Sequence, residues 1–248
     1  MKRILLILAL AMTVIMSSCV KPVDPIEDSP TIRFSVLGNS FSALEGTVDP
    51  ETNDVWTSYP LVGVTEPEQM WWHKVATRMG WNLDKNNSFS GSLVCNFDDF
   101  NGGGYYAPHS YIRRMDNLGN PDVIFVFGGT NDIYQRAPLG DYVYSGWTDE
   151  QLCTYRPAMA YILDNLKRQH PQAKIYFLVD MELCINDVTL DEGIRQAYIE
   201  SMHRIASHYN VDCIDIFGIH KSYWHPDVEG QKDIARQVLE VLEADFNV

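Results

Sequence analysis

The stretch Asp122-Val123-Ile124-Phe125-Val126-Phe127, with Pro121 before it and Gly128 after it, decides the fold. It is too short for an ordinary helix and is rich in β-branched and aromatic residues, so it reads as a strand. Its apolar character is continuous rather than alternating. A strand of that kind is buried on both faces, as in a parallel sheet. Outward from it, residues 32–37, 174–179 and 211–216 read the same way, and a shorter strand falls near residues 81–87. Between these runs, residues 68–79, 149–169, 190–208 and 228–246 carry apolar side chains at helical spacing; Ile234, Val238, Val241 and Leu242 share one side of the last. Alternating strands and helices predict an α/β chain: doubly wound, flavodoxin-like, three layers α/β/α around a central, mostly parallel five-stranded sheet. Ligands of such sheets bind beyond the carboxyl ends of the strands.

Chemistry-bearing residues cluster at those ends. Gly128-Gly129-Thr130-Asn131-Asp132 directly follows the decisive strand, and Gly38-Asn39-Ser40-Phe41-Ser42 follows the first one. Asn87-Ser88-Phe89-Ser90-Gly91-Ser92 and Ser222-Tyr223-Trp224-His225-Pro226 complete a set of four. Together they hold what acyl transfer needs: a serine nucleophile in Ser40 and a base in His225, with oxyanion donors in the Gly91 N–H and the Asn131 amide. Ser42 is a second hydroxyl close to Ser40. Asp132 reads as a helix cap or a brace for its loop.

In this order the four segments resemble the blocks of the SGNH (GDSL-type) hydrolase family. The resemblance spans residues 32–235; Ser35 to Gly46, Trp71-Trp72 and Asn87 to Ser92 look most like lipid-anchored members from gut Bacteroidetes-like bacteria. It implies a serine esterase without cofactor or metal, with Ser40 as nucleophile, His225 as general base, and Gly91, Asn131 and the Ser40 N–H as the oxyanion hole. Two positions depart from the family pattern. Asn39 stands where Asp is usual, and that position supports the loop through an acceptor oxygen. Ser222 stands three residues before His225, where the family carries the Asp that orients the imidazole. The Ser222 hydroxyl, a backbone carbonyl, or one of Asp180, Glu182, Asp215 and Asp227 must hold the ring instead.

The expected substrate is a short acyl ester, acetyl above all, on a glycan. This follows from the family's habits and from loop aromatics suited to sugar faces: Tyr105, Tyr106, Tyr142, Tyr144, Trp147, Tyr223 and Trp224. Trp71 and Trp72 read as helix packing. Two alternatives stay open: a glycan-binding surface protein on a catalytically decayed scaffold, favoured by Asn39 and Ser222, and an acyltransferase or lipid esterase using the same nucleophile. Insertions near residues 46–67, 98–119 and 134–147 follow strand ends or motif segments and are expected to rim the site.

The start of the chain reads as an export signal. Lys2 and Arg3 precede an apolar run over residues 4–16, and Ser17-Ser18-Cys19 closes it. Ile15-Met16-Ser17-Ser18-Cys19 resembles a bacterial lipobox with Cys19 as the lipidated residue. Residues 19–30 have tether composition, and a single domain of residues 31–248 follows. The expected location is therefore a bacterial periplasm or cell surface, with membrane contact through the lipid alone. The formal charge of −14 argues against nucleic acid as a partner. Cys95, Cys153, Cys184 and Cys213 show no zinc spacing, and their pairing stays open. His73, His109, His170, His203, His208 and His220 form no metal-binding pattern.

Overall fold

Strands β1 (Arg33–Gly38), β4 (Asn82–Ser88), β5 (Val123–Phe127), β6 (Lys174–Asp180) and β7 (Asp212–Ile216) form one sheet of order β4-β1-β5-β6-β7, every neighbouring pair parallel. Two antiparallel pairs accompany it: β2 (Thr47–Val48) with β3 (Val55–Trp56), and β8 (Lys221–Ser222) with β9 (His225–Pro226). The computed structural model describes residues 31–44, 47–48, 55–56, 62–97 and 109–247. The expected export signal, Cys19, the expected tether, Tyr105, Tyr106 and most of the first two expected insertions lie outside the described residues. Residues Thr31–Val248 make one compact unit.

Burial explains the continuous apolar strands. Along β5, Val123, Phe125 and Phe127 pack into one core, while Ile124 and Val126 pack into the other. The first core is covered by α1 (Trp71–Met79) and α6 (Val228–Phe246), through Trp71, Val75, Ile234, Val238 and Leu242. The second is covered by α2 (Tyr111–Arg114), α4 (Tyr155–Gln169) and α5 (Glu192–His208), through Tyr111, Leu163, Leu166, Ile199 and Met202. The edge strand β4 is polar and half-exposed, so periodicity marked it least clearly.

In sheet order the strands run second, first, third, fourth, fifth, which puts the switch in winding direction between β1 and β5. The chain leaves these two neighbours toward opposite faces, and the crevice so opened is where such sheets bind ligands. The turn after β1 and the short helix α3 (Thr130–Tyr134) after β5 flank this crevice.

The third insertion runs elsewhere than expected. Tyr142 lies under the guanidinium groups of Arg156 (4.3 Å) and Arg204 (3.9 Å). Tyr144 stacks on His208 at 3.8 Å, and Trp147 meets Tyr161 edge-on at 5.3 Å. His208 ends α5 on the side where β7 begins, opposite the strands' carboxyl ends. These aromatics therefore cover α4 and α5 instead of rimming the crevice.

Candidate active site

β1 ends at Gly38 and the chain turns at once. Asn39 Oδ1 accepts from the Phe41 N–H at 3.0 Å, and the Ser42 and Ala43 N–H groups both donate to the Asn39 carbonyl at 3.0 Å. The acceptor oxygen that Asn shares with Asp is thus in use as an Asx turn. Gln231 of α6 ties the turn to its surroundings: its Nε2 donates to the Phe41 carbonyl (3.1 Å) and its Oε1 accepts from the Trp71 N–H (2.9 Å). Ser42 is fully buried, and its hydroxyl accepts from the Trp71 indole at 3.0 Å. Ser40 is the hydroxyl that meets His225, with its Oγ 3.0 Å from the imidazole Nε2.

The second wall of the crevice follows β4. Phe89-Ser90-Gly91-Ser92 is a turn closed by the Ser92 N–H on the Phe89 carbonyl at 3.3 Å. Gly91 has φ 80°, as the third position of a type II turn requires. Asn131 Nδ2 donates to the Ser92 carbonyl at 2.9 Å, which fixes the amide next to the Gly91 turn. A primary amide has two N–H donors, so this bond commits one of them. Gly129, at φ 105°, begins α3 where a side chain would run into Met202. Asp132 braces the loop: its carboxylate accepts from the Val94 N–H (2.9 Å) and the Cys95 N–H (3.1 Å). Burial pushes its carboxyl up to about 6, against the pull of those two bonds.

Beneath both walls lies Arg114, 7% exposed. Its guanidinium donates to the Gly38 carbonyl (3.1 Å), the Ser92 hydroxyl (3.0 Å), the His109 carbonyl (2.7 Å) and the Asn87 carbonyl. It therefore joins the ends of β1 and β4 to the Gly91 turn. Sequence reasoning passed over Arg114 and Gln231. The available signal for Arg114 was a charged pair, Arg113-Arg114, inside the apolar frame Tyr111-Ile112 and Met115.

His225 arrives on a hairpin. Ser222 pairs with His225 across Tyr223 (φ 52°) and Trp224 (φ 88°), the positive-φ pair of a type I′ turn. The backbone of Tyr223 gives the imidazole a hydrogen bond that favours its charged form, whereas Lys221 and, above all, burial disfavour it; the net effect is a pKa below the ordinary histidine value. Of the carboxylates considered from sequence, Asp215 pairs with His203 (3.2 Å) and Asp180 with Lys221 (2.7 Å). Asp227 caps α6 and takes His220 (2.7 Å) and the Ser222 hydroxyl (3.1 Å). Ser222 thus faces Asp227, and among these groups the Tyr223 backbone is the one that favours the charged ring.

The sequence profile of GDSL-like lipases and acylhydrolases matches residues 32–242. The chain belongs to the GDSL-like lipase/acylhydrolase family. This GDSL-like chain is also similar to solved structures. A candidate GDSL-like lipase from Bacteroides ovatus is 40% identical, with a TM-score of 0.75 over 87% of this chain and 100% of that one. One from Bacteroides uniformis is 37% identical, with a TM-score of 0.73 over 86% and 96%. An acetyl xylan esterase from the rumen bacterium Butyrivibrio proteoclasticus shares the fold at 16% identity, with a TM-score of 0.54 over 87% and 64%. No curated protein matches the chain.

Two exposed aromatics of the GDSL-like domain bridge the parts of the site. Tyr134, at the end of the helix that carries Asn131, is 51% exposed. Trp224, next to His225, is 43% exposed, and the two ring centroids lie 6.3 Å apart. Among the described residues no group of three or more His, Cys, Asp or Glu could hold a metal ion. Cys95, Cys153, Cys184 and Cys213 are free thiols. No helix among the described residues is long and apolar enough to cross a membrane.

Proposed function

We propose that the chain is a serine esterase that removes acetyl-sized acyl groups from glycans through Ser40 and His225. The observation that carries this reading is the 3.0 Å contact of Ser40 Oγ with His225 Nε2 at the crevice between β1 and β5. His225 is lowered below its ordinary pKa and is neutral at pH 7, so it can take the Ser40 proton as the hydroxyl attacks the ester carbonyl. The tetrahedral oxyanion is received by the Gly91 N–H, the Asn131 amide and the Ser40 N–H. His225 returns the proton to the departing alcohol, and water, activated by the same base, releases the acyl group. Support for a glycan alcohol comes from the Tyr134–Trp224 pair, whose exposed faces suit a sugar ring. The fold shared with an acetyl xylan esterase agrees with that choice.

The test is hydrolysis of p-nitrophenyl acetate, p-nitrophenyl butyrate and an acetylated oligosaccharide, with Ser40→Ala as control. The expected result is faster acetate than butyrate release, acetate freed from the oligosaccharide, and a loss of about a thousand-fold or more in Ser40→Ala. Equal rates in wild type and Ser40→Ala would remove Ser40 from the mechanism. Turnover of long-chain esters in preference to acetate would favour the lipid esterase.

A further inference from the structure

The hairpin that carries His225 is strained and has a serine, not an acid, at position 222. Tyr223 and Trp224 both hold positive φ, at 52° and 88°. A bulky residue at such a φ is an outlier, and it persists only where the surroundings over-determine it. Neither residue is glycine or asparagine, the usual occupants of a type I′ turn. Something outside the turn must hold it, and the strongest contact is at its base. Lys221 Nζ lies 2.7 Å from Asp180 Oδ2, with side-chain exposures of 11% and 1%. Asp180 is the last residue of β6, and its other oxygen accepts from the Glu182 N–H at 3.0 Å, so the carboxylate is fixed to the sheet.

The same ammonium reaches the site. Lys221 Nζ lies 5.5 Å from the centre of the Phe41 ring, and that ring meets the His225 imidazole edge-on at 6.0 Å. Phe41 is the residue after Ser40. One lysine therefore packs on the turn of the nucleophile, anchors the hairpin of the base and pairs with the end of the central sheet.

We propose that the buried Lys221–Asp180 pair is the positioning unit for His225. It clamps the strained Tyr223–Trp224 turn so that the Tyr223 backbone holds the imidazole toward Ser40, while Ser222 is turned to Asp227. This inference rests on the reading of Ser40 and His225 as nucleophile and base. Lys221 and Asp180 touch no reacting atom; they act through the hairpin.

The pair also sets the charge around the ring. Among the described residues, the titratable and charged groups on the elements around His225 include Lys221 and Tyr223 on its own hairpin, Asp180 at the end of β6 with Glu182 just beyond, His220 and Asp227 before α6, and Tyr134 on α3. Lys221 is the one whose charge opposes protonation of His225. Removing the lysine and removing the aspartate should therefore move the base in opposite directions. Without Lys221 the imidazolium loses a repelling neighbour. Without Asp180 that neighbour is no longer neutralised.

The experiment compares Lys221→Met, Lys221→Arg and Asp180→Asn in the full chain on p-nitrophenyl acetate across pH 4–8, after circular dichroism has shown each to be folded. The expected result is kcat lowered by about 10- to 100-fold in Lys221→Met and Asp180→Asn, with KM within about two-fold, because a displaced base loses rate and not binding. The acid limb moves up in pH in Lys221→Met and down in Asp180→Asn. Lys221→Arg recovers most of the rate. If folded Lys221→Met and Asp180→Asn keep the wild-type kcat, or shift the acid limb in the same direction, the proposal is overturned. If one of them does not fold, the other and Lys221→Arg still decide. Ser40→Ala, assayed beside them, separates this failure from failure of the dyad itself: a dead Ser40→Ala with unaffected Lys221 and Asp180 variants leaves the esterase reading intact and removes the positioning role alone.

Discussion

The two sides of the crevice are held in opposite ways. On the oxyanion side, Asn39, Arg114 and Asp132 are at most 7% exposed; Asn39 closes its own turn, while Arg114 and Asp132 bond the backbone of neighbouring loops. On the base side, a six-residue hairpin is anchored to the sheet and to α6 by the Lys221–Asp180 ion pair and the Ser222–Asp227 bond, with Tyr223 71% exposed at its tip. The oxyanion hole demands fixed donors, because preorganisation is the source of its effect. A base must only reach one proton, and a carbonyl can orient it. Serine rather than a carboxylate at position 222 is therefore tolerable in a way that alanine at position 131 is not.

Asn131→Ala tests the strong half of this contrast. The expected loss is about 100- to 1,000-fold in kcat, with the urea midpoint little changed, since the side chain is half-buried and among the described residues donates one hydrogen bond, to the Ser92 carbonyl. A variant that unfolds early instead would make Asn131 a structural brace. Arg114→Met should behave in the reverse manner. It strips a donor from the Gly38, Asn87 and His109 carbonyls and from the Ser92 hydroxyl. The expected cost is about 3 kcal/mol of unfolding free energy, read from urea titration, as buried acceptors are left unpaired. If Arg114→Met unfolds like wild type, the oxyanion side is not over-determined, and the comparison breaks.

The same contrast explains what could be read from the chain alone. The β5 run and the Gly129-Thr130-Asn131-Asp132 turn are local signals, written in adjacent residues, and so are Ser40 after β1 and His225 before α6. The Gly91 turn is local too, since a type II turn needs glycine at its third position. The supports are long-range. Arg114 meets Gly38 across 76 positions, and Lys221 meets Asp180 across 41. No periodicity records such pairs. Composition also misled in one place. Tyr142, Tyr144 and Trp147 have the residue types of a sugar platform, yet their neighbours Arg156, Arg204, His208 and Tyr161 draw them onto α4 and α5. Tyr134, which borders the crevice, drew no notice because its exposure depends on α3 ending at that residue.

A smaller effect is expected on the base side in the pH profile. Burial and the Lys221 charge both disfavour the imidazolium, and the Tyr223 carbonyl offsets them in part. The neutral base therefore survives to lower pH than a free imidazole would allow. The acid limb of kcat/KM, which reports the free enzyme, should have its midpoint below the ordinary histidine value of about 6.5. Asp132, at about 6, titrates nearby. Repeating the profile in Asp132→Asn assigns the limb: it stays in place if His225 is the group. A midpoint above 6.5 in both would mean that an anion faces the ring and that the Lys221 charge does not govern it.

The smallest expected change is the most discriminating. Trp224 sits at φ 88° with its ring against Tyr134, so one residue combines backbone strain with an exposed aromatic face. Trp224→Gly separates the two. Glycine takes that φ freely, and relief of strain of roughly 1 kcal/mol or more is set against the greater entropy of the unfolded glycine chain and the loss of the Tyr134 contact. Stability should therefore stay level or rise by up to about 1 kcal/mol, an unusual outcome for deleting a tryptophan. Catalysis should divide by substrate. KM for p-nitrophenyl acetate, which has no sugar to stack, should be unchanged, and KM for an acetylated oligosaccharide should rise several-fold. If stability falls by more than about 1 kcal/mol, Trp224 is a structural prop and the strain is not a cost borne for binding. If both KM values stay level, sugar recognition lies elsewhere, and the hairpin's part in the site reduces to carrying His225.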